Sequence, residues 1–522
     1  MRPKGLNNIV VVGAGSAGWM TALYMKKTVP DCNVTVIGSR ELGILGAGEG
    51  TVPSIIEFLR YVEIHPYELL RKCKSTVKTG IKFVNWNGDG NYYHHGFISA
   101  IIDQRKNRKN ILEETPFDQN YLEFDNYVSG ISLNSYDYES LCADFLRMPI
   151  PKDKLHLYDF KLNAWHVDAI EIAKLFEEIG VSRGIRYIDD YVTCFDQDND
   201  GYITKINMKN GSIDCDFIFD CTGFKRLIID KLYNSQWTDL SDHLTVNRAL
   251  PFSLPPKEKL QNYTTATAMN SGWVWEIPLQ HRIGCGYIFN SNFCDDETAK
   301  KELYAKYGHD IEIPKSFNFN AGYFKETWIK NCIAIGLSSG FIEPMEATSI
   351  FGSTVGLSFA AYYTIFLPKA PQAIIDAYNA KMRSLNGGIA GFIQFHYLSK
   401  RKDTEFWKDI TTRPYLNDYI DFFNYLRYSP PNRKEDTKLW PFNIKSYSRI
   451  GMGIEFFDKE HFKNMLGFYK NKKYFAESNN LSKKTMEQRI RLDVERNISH
   501  QEFLEMVVGK EQLEENRRLI FK

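Results

Sequence analysis

Asn8 to Val12 is a short β-branched run that passes directly into Gly13-Ala14-Gly15-Ser16-Ala17-Gly18, after which Trp19, Ala22, Leu23 and Met25 fall at helical spacing. The pattern predicts strand, turn, helix. A second apolar run, Asn33 to Ile37, follows at the distance of a βαβ unit, so a parallel sheet is expected to open the chain. Ile81 to Trp86, Tyr202 to Met208, Phe217 to Asp220 and Cys332 to Ile335 read as further strands. Asp198-Asn199-Asp200-Gly201 and Asn210-Gly211 read as turns and add an antiparallel component. In Trp273-Val274-Trp275-Glu276-Ile277-Pro278, alternation puts both indoles on one strand face, and Pro278 ends the strand because it lacks the N–H a ladder needs. Past about Ala370, helical patterning and the aromatic cluster Phe422, Phe423, Tyr425 and Tyr428 predict a largely helical module, with residues 428–436 as a loop.

The predicted class is therefore α/β: a Rossmann-like parallel sheet plus an antiparallel sheet, with a mainly helical C-terminal substrate module. The expected division assigns 1–100 and 150–370 to a discontinuous nucleotide-binding domain and 101–149 with 371–522 to the helical module. The 522 residues carry a formal net charge of +1, 43% hydrophobic and 25% charged residues. That balance is globular, and it selects against nucleic acid and an anionic membrane as partners while leaving self-association into a homo-oligomer open. Nine scattered cysteines with no CxxC pair suit a reducing compartment and point to no metal site. The first strand starts by Asn8, and the longest apolar stretch, Val355 to Leu367, is interrupted by Ser358, Tyr362, Tyr363 and Thr364. The expectation is a soluble cytoplasmic protein that works on small molecules.

Gly13, Gly15 and Gly18 in a strand-to-helix setting permit a tight turn, close approach to a pyrophosphate and helix–sheet packing, with Ser16 and Ala17 at the helix N-terminus. The acid that would end the second strand and hold a ribose is absent; Gly38 and Ser39 stand there, with Glu41 nearby. Two later strand ends also carry glycine: Asp220-Cys221-Thr222-Gly223 and Gly336-Leu337-Ser338-Ser339-Gly340. A nicotinamide enzyme needs only the first signal, whereas three, spread from Gly13 to Gly340, suit an extended FAD. Gly43, Gly46, Gly48 and Gly50 before Pro53 read as a strap over a ligand.

Taken together, Gly13 to Trp19, Gly46-Ala47-Gly48-Glu49-Gly50-Thr51-Val52-Pro53, Lys78 ahead of Ile81 to Trp86, Trp273 to Pro278 and Gly336 to Ile350 resemble a flavin-dependent halogenase of the tryptophan halogenase family. The resemblance covers residues 9 to about 360. It implies the two-dinucleotide-domain flavoprotein fold, with FAD held by Gly13, Gly15, Ser16, Ala17, Gly18, Ser39, Gly48, Glu49, Gly336 and Leu337. It further implies that a separate reductase supplies FADH2, that oxygen and halide yield hypohalous acid, and that the oxidant travels a tunnel to Lys78 beside a small aromatic substrate. Trp273 and Trp275 would wall that tunnel, Glu346 would assist the chemistry, and Thr348 and Ser349 would bind halide at a helix N-terminus. Ala347 and Ser349 stand where the family commonly has serine and glycine, which points to bromide or iodide rather than chloride. Within Tyr93-His94-His95-Gly96-Phe97, His94 is the candidate substrate contact, while Lys74 and Lys82 are expected at the surface. Tyrosine in Tyr447 to Gly453, where the tryptophan enzymes tend to have tryptophan, favours an indole or phenol over free tryptophan. The rival readings are an FAD-dependent aromatic hydroxylase and a flavin-binding protein without turnover.

Overall fold

In the computed structural model, the described residues are 5–43, 48–97, 123–135, 137–363, 369–431, 436–470 and 483–518. Gly46 and Ala47 of the glycine-rich strap, the part of the expected helical module before residue 123, the end of the Val355 to Leu367 run and the middle of the 428–436 loop lie outside them. The chain divides into two compact units: Met1–Ser75 with Trp165–Ser241 and Asn320–Gly387, and Thr76–Ala164 with Asp242–Phe319 and Gly388–Lys522.

The first unit is built on a six-stranded sheet in the order Trp328–Ile329, Cys332–Ala334, Phe217–Asp220, Asn8–Val12, Asn33–Gly38 and Arg186–Asp189. All neighbours run parallel except the first pair, a short hairpin. Ile9, Val10, Val11, Ile218 and Phe219 are all fully buried. Successive side chains point to opposite faces, so both faces of the sheet are covered, as a parallel sheet with crossover helices requires. The helix Ser16–Thr28 packs into this core through Trp19, Met20, Ala22, Leu23 and Met25. An antiparallel sheet of Val192–Gln197, Ile203–Met208 and Gly211–Asp214 sits beside the main sheet. Its second turn falls on Lys209-Asn210, one residue earlier than expected, because Gly211 already pairs with Met208.

The second unit centres on seven strands in the order Phe317–Asn318, Arg248–Leu254, Ile283–Phe289, Gly272–Pro278, Thr264–Ala268, Gly80–Val84 and Tyr92–Gly96. Gly272–Pro278, the tryptophan strand, is central and ends at the proline. Its register explains how it holds two indoles side by side: Trp275 faces Ala266 on one neighbour and Gly286 on the other, and Trp273 faces Ala268 and Ile288. A Cβ at Gly286 would stand 2.0 Å from the Trp275 ring, so the indole lies across the glycine. The opposite face carries Val274 into a core with Leu250, Phe252, Tyr287, Phe289, Ala299 and Leu303. The helix Asp296–Tyr307 supplies the last two. Beyond it, Phe392, Phe395, Phe423, Tyr447 and Phe456 form an aromatic cluster joining the C-terminal helices. A two-stranded ladder ties Asn497–Ser499 to Arg147–Pro151, so the far C-terminus is built into this unit.

Candidate active site

In the first unit the three glycine-bearing strand ends converge. Gly13 has φ +114, a backbone conformation that side chains rarely adopt, and a Cβ there would stand 2.2 Å from the Cys221 carbonyl oxygen. Gly18 lies under Gly13, where a Cβ would come within 1.8 Å of its carbonyl oxygen. Gly336 abuts the same helix start, its missing Cβ 2.8 Å from that of Ala17 and 3.6 Å from Ser353 Oγ. Ser338 Oγ donates to the Gly223 carbonyl (3.3 Å), joining the second and third strand ends. Gly15 is different: nothing lies within 4 Å of its missing Cβ, and no side chain caps the helix that begins after it. Open space in front of uncapped N–H groups at a helix N-terminus fits a dinucleotide phosphate. The residues present therefore fit FAD at Gly13, Gly15, Ser16, Ala17 and Gly18.

The neighbouring acids divide into structural and available groups. Asp220, fully buried, accepts from the Thr222, Ile228 and Ile229 amides and the Thr222 hydroxyl, so it shapes the turn after its strand. Following Ser39, the Arg40 amide donates to Asp189 (2.9 Å), and Glu41 accepts from the Tyr191 hydroxyl (2.6 Å). Glu49, in the strand Gly48–Gly50 that pairs antiparallel with His166–Asp168, is pushed up to about 7 by burial and then by the Asp168 carboxylate. Near neutral pH it can donate as well as accept a hydrogen bond.

The segment after Gly336 and Leu337 also belongs to this unit. Glu343 is fully buried with φ −38 and ψ +140 before Pro344, a ψ outside the helical range as proline demands of its predecessor, and Glu346 is buried two residues beyond that proline. Ala347 has φ +57 and ψ +39, the left-handed region, and turns the chain into the helix Thr348–Tyr362, which has no side-chain N-cap. Its first amides are thus available to an anion. Ser349 is exposed in ordinary helical conformation, so a Cβ there is accommodated. The departure with a conformational consequence is the alanine.

In the second unit Lys78 ends the strand Thr76–Lys78 and is fully buried. Its Nζ stands 5.4 Å from the centre of the Phe97 ring, a face that attracts a cation. The strand is pinned throughout: Thr76 Oγ1 donates to the carbonyl of Pro278 (2.5 Å), the last residue of the tryptophan strand. The Thr79 amide and hydroxyl both donate to the Asn262 carbonyl, at 2.7 and 2.8 Å. Lys78 and the Trp273/Trp275 strand are thereby joined within one unit. The indoles, with ring centroids 6.2 Å apart, share the strand face opposite Val274.

His94 is engaged by Asp144. In the strand Tyr92–Gly96 it pairs with Lys82 and donates through Nε2 to Asp144 (2.9 Å). Burial holds its imidazole below the usual histidine value despite that carboxylate. Alternation sends His95 to the other face, where it meets Phe392 with ring centroids 5.8 Å apart. Lys82 is not a surface lysine. Its Nζ lies 3.5 Å from Asp144 and 3.5 Å from the Tyr92 ring centre, and burial lowers its pKa against the pull of Asp144. Adjacent identical histidines hid this, since only pairing register decides which of the two meets Asp144.

Among the described residues no group of histidine, cysteine and acidic side chains could hold a metal ion, and no helix is long and apolar enough to cross a membrane. The tryptophan halogenase family matches residues 8–466. Tryptophan 7-halogenase RebH of Lentzea aerocolonigenes is 29% identical over 452 residues, covering 80% of this chain and 82% of its own. 7-Chloro-L-tryptophan 6-halogenase KtzR of Kutzneria sp. (strain 744) is 30% identical over 433 residues, covering 78% and 82%. Among solved structures BrvH, a flavin-dependent halogenase from Brevundimonas sp. BAL3, superposes with a TM-score of 0.80 at 26% identity, covering 96% of this chain and 99% of its own. The convergent glycine turns, the tryptophan strand and these matches lead to one conclusion: the chain belongs to the tryptophan halogenase family of flavin-dependent halogenases.

Proposed function

We propose that this enzyme uses FADH2 from a separate reductase, oxygen and halide to halogenate an electron-rich aromatic, an indole or a phenol rather than free tryptophan. Reduced FAD, when bound, activates oxygen for the oxidation of halide to hypohalous acid. The first unit supplies the flavin half, with Gly13, Gly15, Ser16, Ala17, Gly18, Ser39, Gly48, Glu49, Gly336 and Leu337 as its contacts. The uncapped helix start at Thr348 and Ser349 attracts the halide, and bromide or iodide is preferred because both are easier to oxidise than chloride. Trp273 and Trp275 keep bulky aromatics away from the flavin.

Lys78 receives the oxidant and delivers it to the ring. The observation that carries this role is its complete burial at the end of a pinned strand, with the ammonium facing an aromatic ring rather than water. A lysine in that setting has given up its hydration, which favours hydrogen-bonding a small neutral oxidant or attacking it. Glu346 stabilises the cationic ring intermediate and assists loss of its proton. Phe97, whose ring lies beside Lys78, is the aromatic offered to the substrate, and His94, oriented by Asp144, remains the candidate imidazole.

The test is a screen of chloride, bromide and iodide against indole, substituted indoles, phenols and tryptophan, with reductase-supplied FADH2 and mass-spectrometric detection. Exchange of one hydrogen for bromine or iodine on an indole or phenol is expected. A halide-independent gain of one oxygen identifies a hydroxylase instead, FAD binding with no product identifies a flavin-binding protein, and strong chloride preference overturns the halide assignment.

A further inference from the structure

We propose that His500, at the far C-terminal end of the chain and beyond the part matched by the family, is a positioning residue for Lys78. It is the first residue of the helix His500–Val508, whose N-terminus is fixed by a capping box of Ser499 and Glu502. The His500 amide donates to the Leu146 carbonyl (2.8 Å), which anchors the backbone as well. Its imidazole is fully buried between two backbone groups: Nδ1 lies 3.0 Å from the Leu260 carbonyl oxygen, and Nε2 lies 3.3 Å from the amide nitrogen of Val77. The chemistry of these partners leaves one protonation state. A carbonyl only accepts, so Nδ1 carries the hydrogen; an amide only donates, so Nε2 is a bare lone pair. The ring is neutral, and burial lowers its pKa to about 4, which keeps it neutral throughout the range in which an enzyme works.

Val77 immediately precedes Lys78, and the Val77 amide is the donor this ring receives. Successive N–H groups of an extended strand point to opposite edges, so the Val77 N–H needs a partner on its own edge of Thr76–Lys78, and the direction of the side chains there depends on the group that holds it. The Thr76 hydroxyl is held by the Pro278 carbonyl and Thr79 by Asn262; His500 holds the Thr76–Val77 peptide between them, one peptide removed from Lys78 on its N-terminal side. Without that acceptor the buried Val77 N–H is left unsatisfied, the peptide rotates to find a partner, and the Lys78 ammonium moves with it. Displacements on the order of 1 Å in a reacting group cost about a hundredfold in rate. The inference rests on the assignment of Lys78 as the residue that receives the oxidant.

The two ring nitrogens can be separated by mutation. His500→Gln places a side-chain oxygen near the position of Nε2 and retains an acceptor for Val77; His500→Asn places its amide near Nδ1 and retains only the bond to Leu260. Both proteins, wild type and Lys78→Ala are supplied with reduced FAD, bromide and indole, and two products are measured: bromoindole, and hypobromous acid captured by a soluble scavenger. In parallel, hydrogen exchange is followed in the peptide containing Val77. For His500→Asn, the ratio of bromoindole to escaped oxidant is expected to fall about tenfold with total oxidant unchanged, and Val77 is expected to exchange faster. His500→Gln is expected to restore both toward wild type. The positioning role is overturned if His500→Asn keeps the wild-type ratio or wild-type Val77 protection, or if the two variants lose flavin binding and total oxidant alike. The separate outcome that Lys78→Ala still brominates indole overturns the Lys78 assignment itself.

Discussion

The two units make their candidate sites from different materials. In the first, the site is backbone: three strand ends, a glycine at positive φ, open space at Gly15, and helix N-termini without side-chain caps. In the second, it is side chains drawn from distant parts of the chain, with Lys78, Phe97, Trp273, Trp275 and His500 separated by up to several hundred residues. A backbone site is sensitive to the addition of a single methyl group but indifferent to most side-chain chemistry. A side-chain site fails when one functional group or one of its supports is removed.

The largest effect expected belongs to the second kind. Lys78→Ala should lower halogenation at least about a thousandfold while FAD binding, read by fluorescence titration, stays at the wild-type level; retained product formation would remove Lys78 from the chemistry. The backbone site should show the reverse pattern. Gly18→Ala drives a Cβ to 1.8 Å from the Gly13 carbonyl oxygen and should destabilise even the flavin-free protein, by about 3 kcal/mol in thermal or urea unfolding. Gly15→Ala, with nothing within 4 Å, should leave flavin-free stability unchanged and weaken FAD binding about tenfold, because its methyl group takes phosphate space. Equal destabilisation by the two would show that the space at Gly15 is not ligand space.

A pH experiment probes the support of the lysine. His500 remains neutral down to about pH 4 in the folded protein, whereas an unfolded histidine takes its proton near 6.5. Between these values the unfolded chain binds more protons, so stability falls as pH falls, by about 3 kcal/mol in total. Glu49 and Glu139, both pushed up to about 7, act in the opposite sense, since the unfolded chain sheds their protons first as pH rises through 4.5 to 7. The difference in acid unfolding between wild type and His500→Gln isolates the histidine: the variant should lack its share of the acid slope. Identical slopes would mean that His500 is not the buried neutral group described.

Smaller effects are expected in the Glu343–Ser349 segment. Glu346→Gln should slow halogenation about tenfold with FAD binding retained, because an amide still fills the buried position but cannot take a proton. Ala347→Gly should raise thermal stability by about 1 kcal/mol, since alanine bears the left-handed conformation at φ +57 at a cost glycine avoids. A loss of stability on that substitution would indicate that the methyl group is packed rather than merely strained.

Most of the first unit was legible before its structure. Strand Asn8–Val12, the helix behind Gly18, the parallel neighbour at Asn33 and the strand ending at Asp220 are local patterns, each decided by residues a few positions apart. The glycines announced where the backbone must turn or come close, although Asp220 proved to be a turn-shaping acid whose oxygens are taken by four local donors. In the second unit the tryptophan strand and its proline stop were equally plain, but the small residues that make room for the indoles come from two other strands. His94 and Lys82 show the limit most clearly. Their assignments depended on which face of a strand points where, and Asp144, fifty residues on from the histidine, claims both. Nothing near His500 in the chain marks it as a partner of Val77.

By itself the sequence determined the α/β class, the glycine turn between first strand and first helix, the tryptophan strand and the lysine that the family pattern marks, because each is written in short-range spacing. Tertiary structure alone decided that Gly15 is open while Gly13 and Gly18 are closed, that His94 meets Asp144 while Phe97 meets Lys78, and that a histidine 422 residues beyond Lys78 takes the N–H of the residue before it. The physical reason is common to all three. Periodicity records which residues are inside, but register and long-range closure select the partner each one meets there.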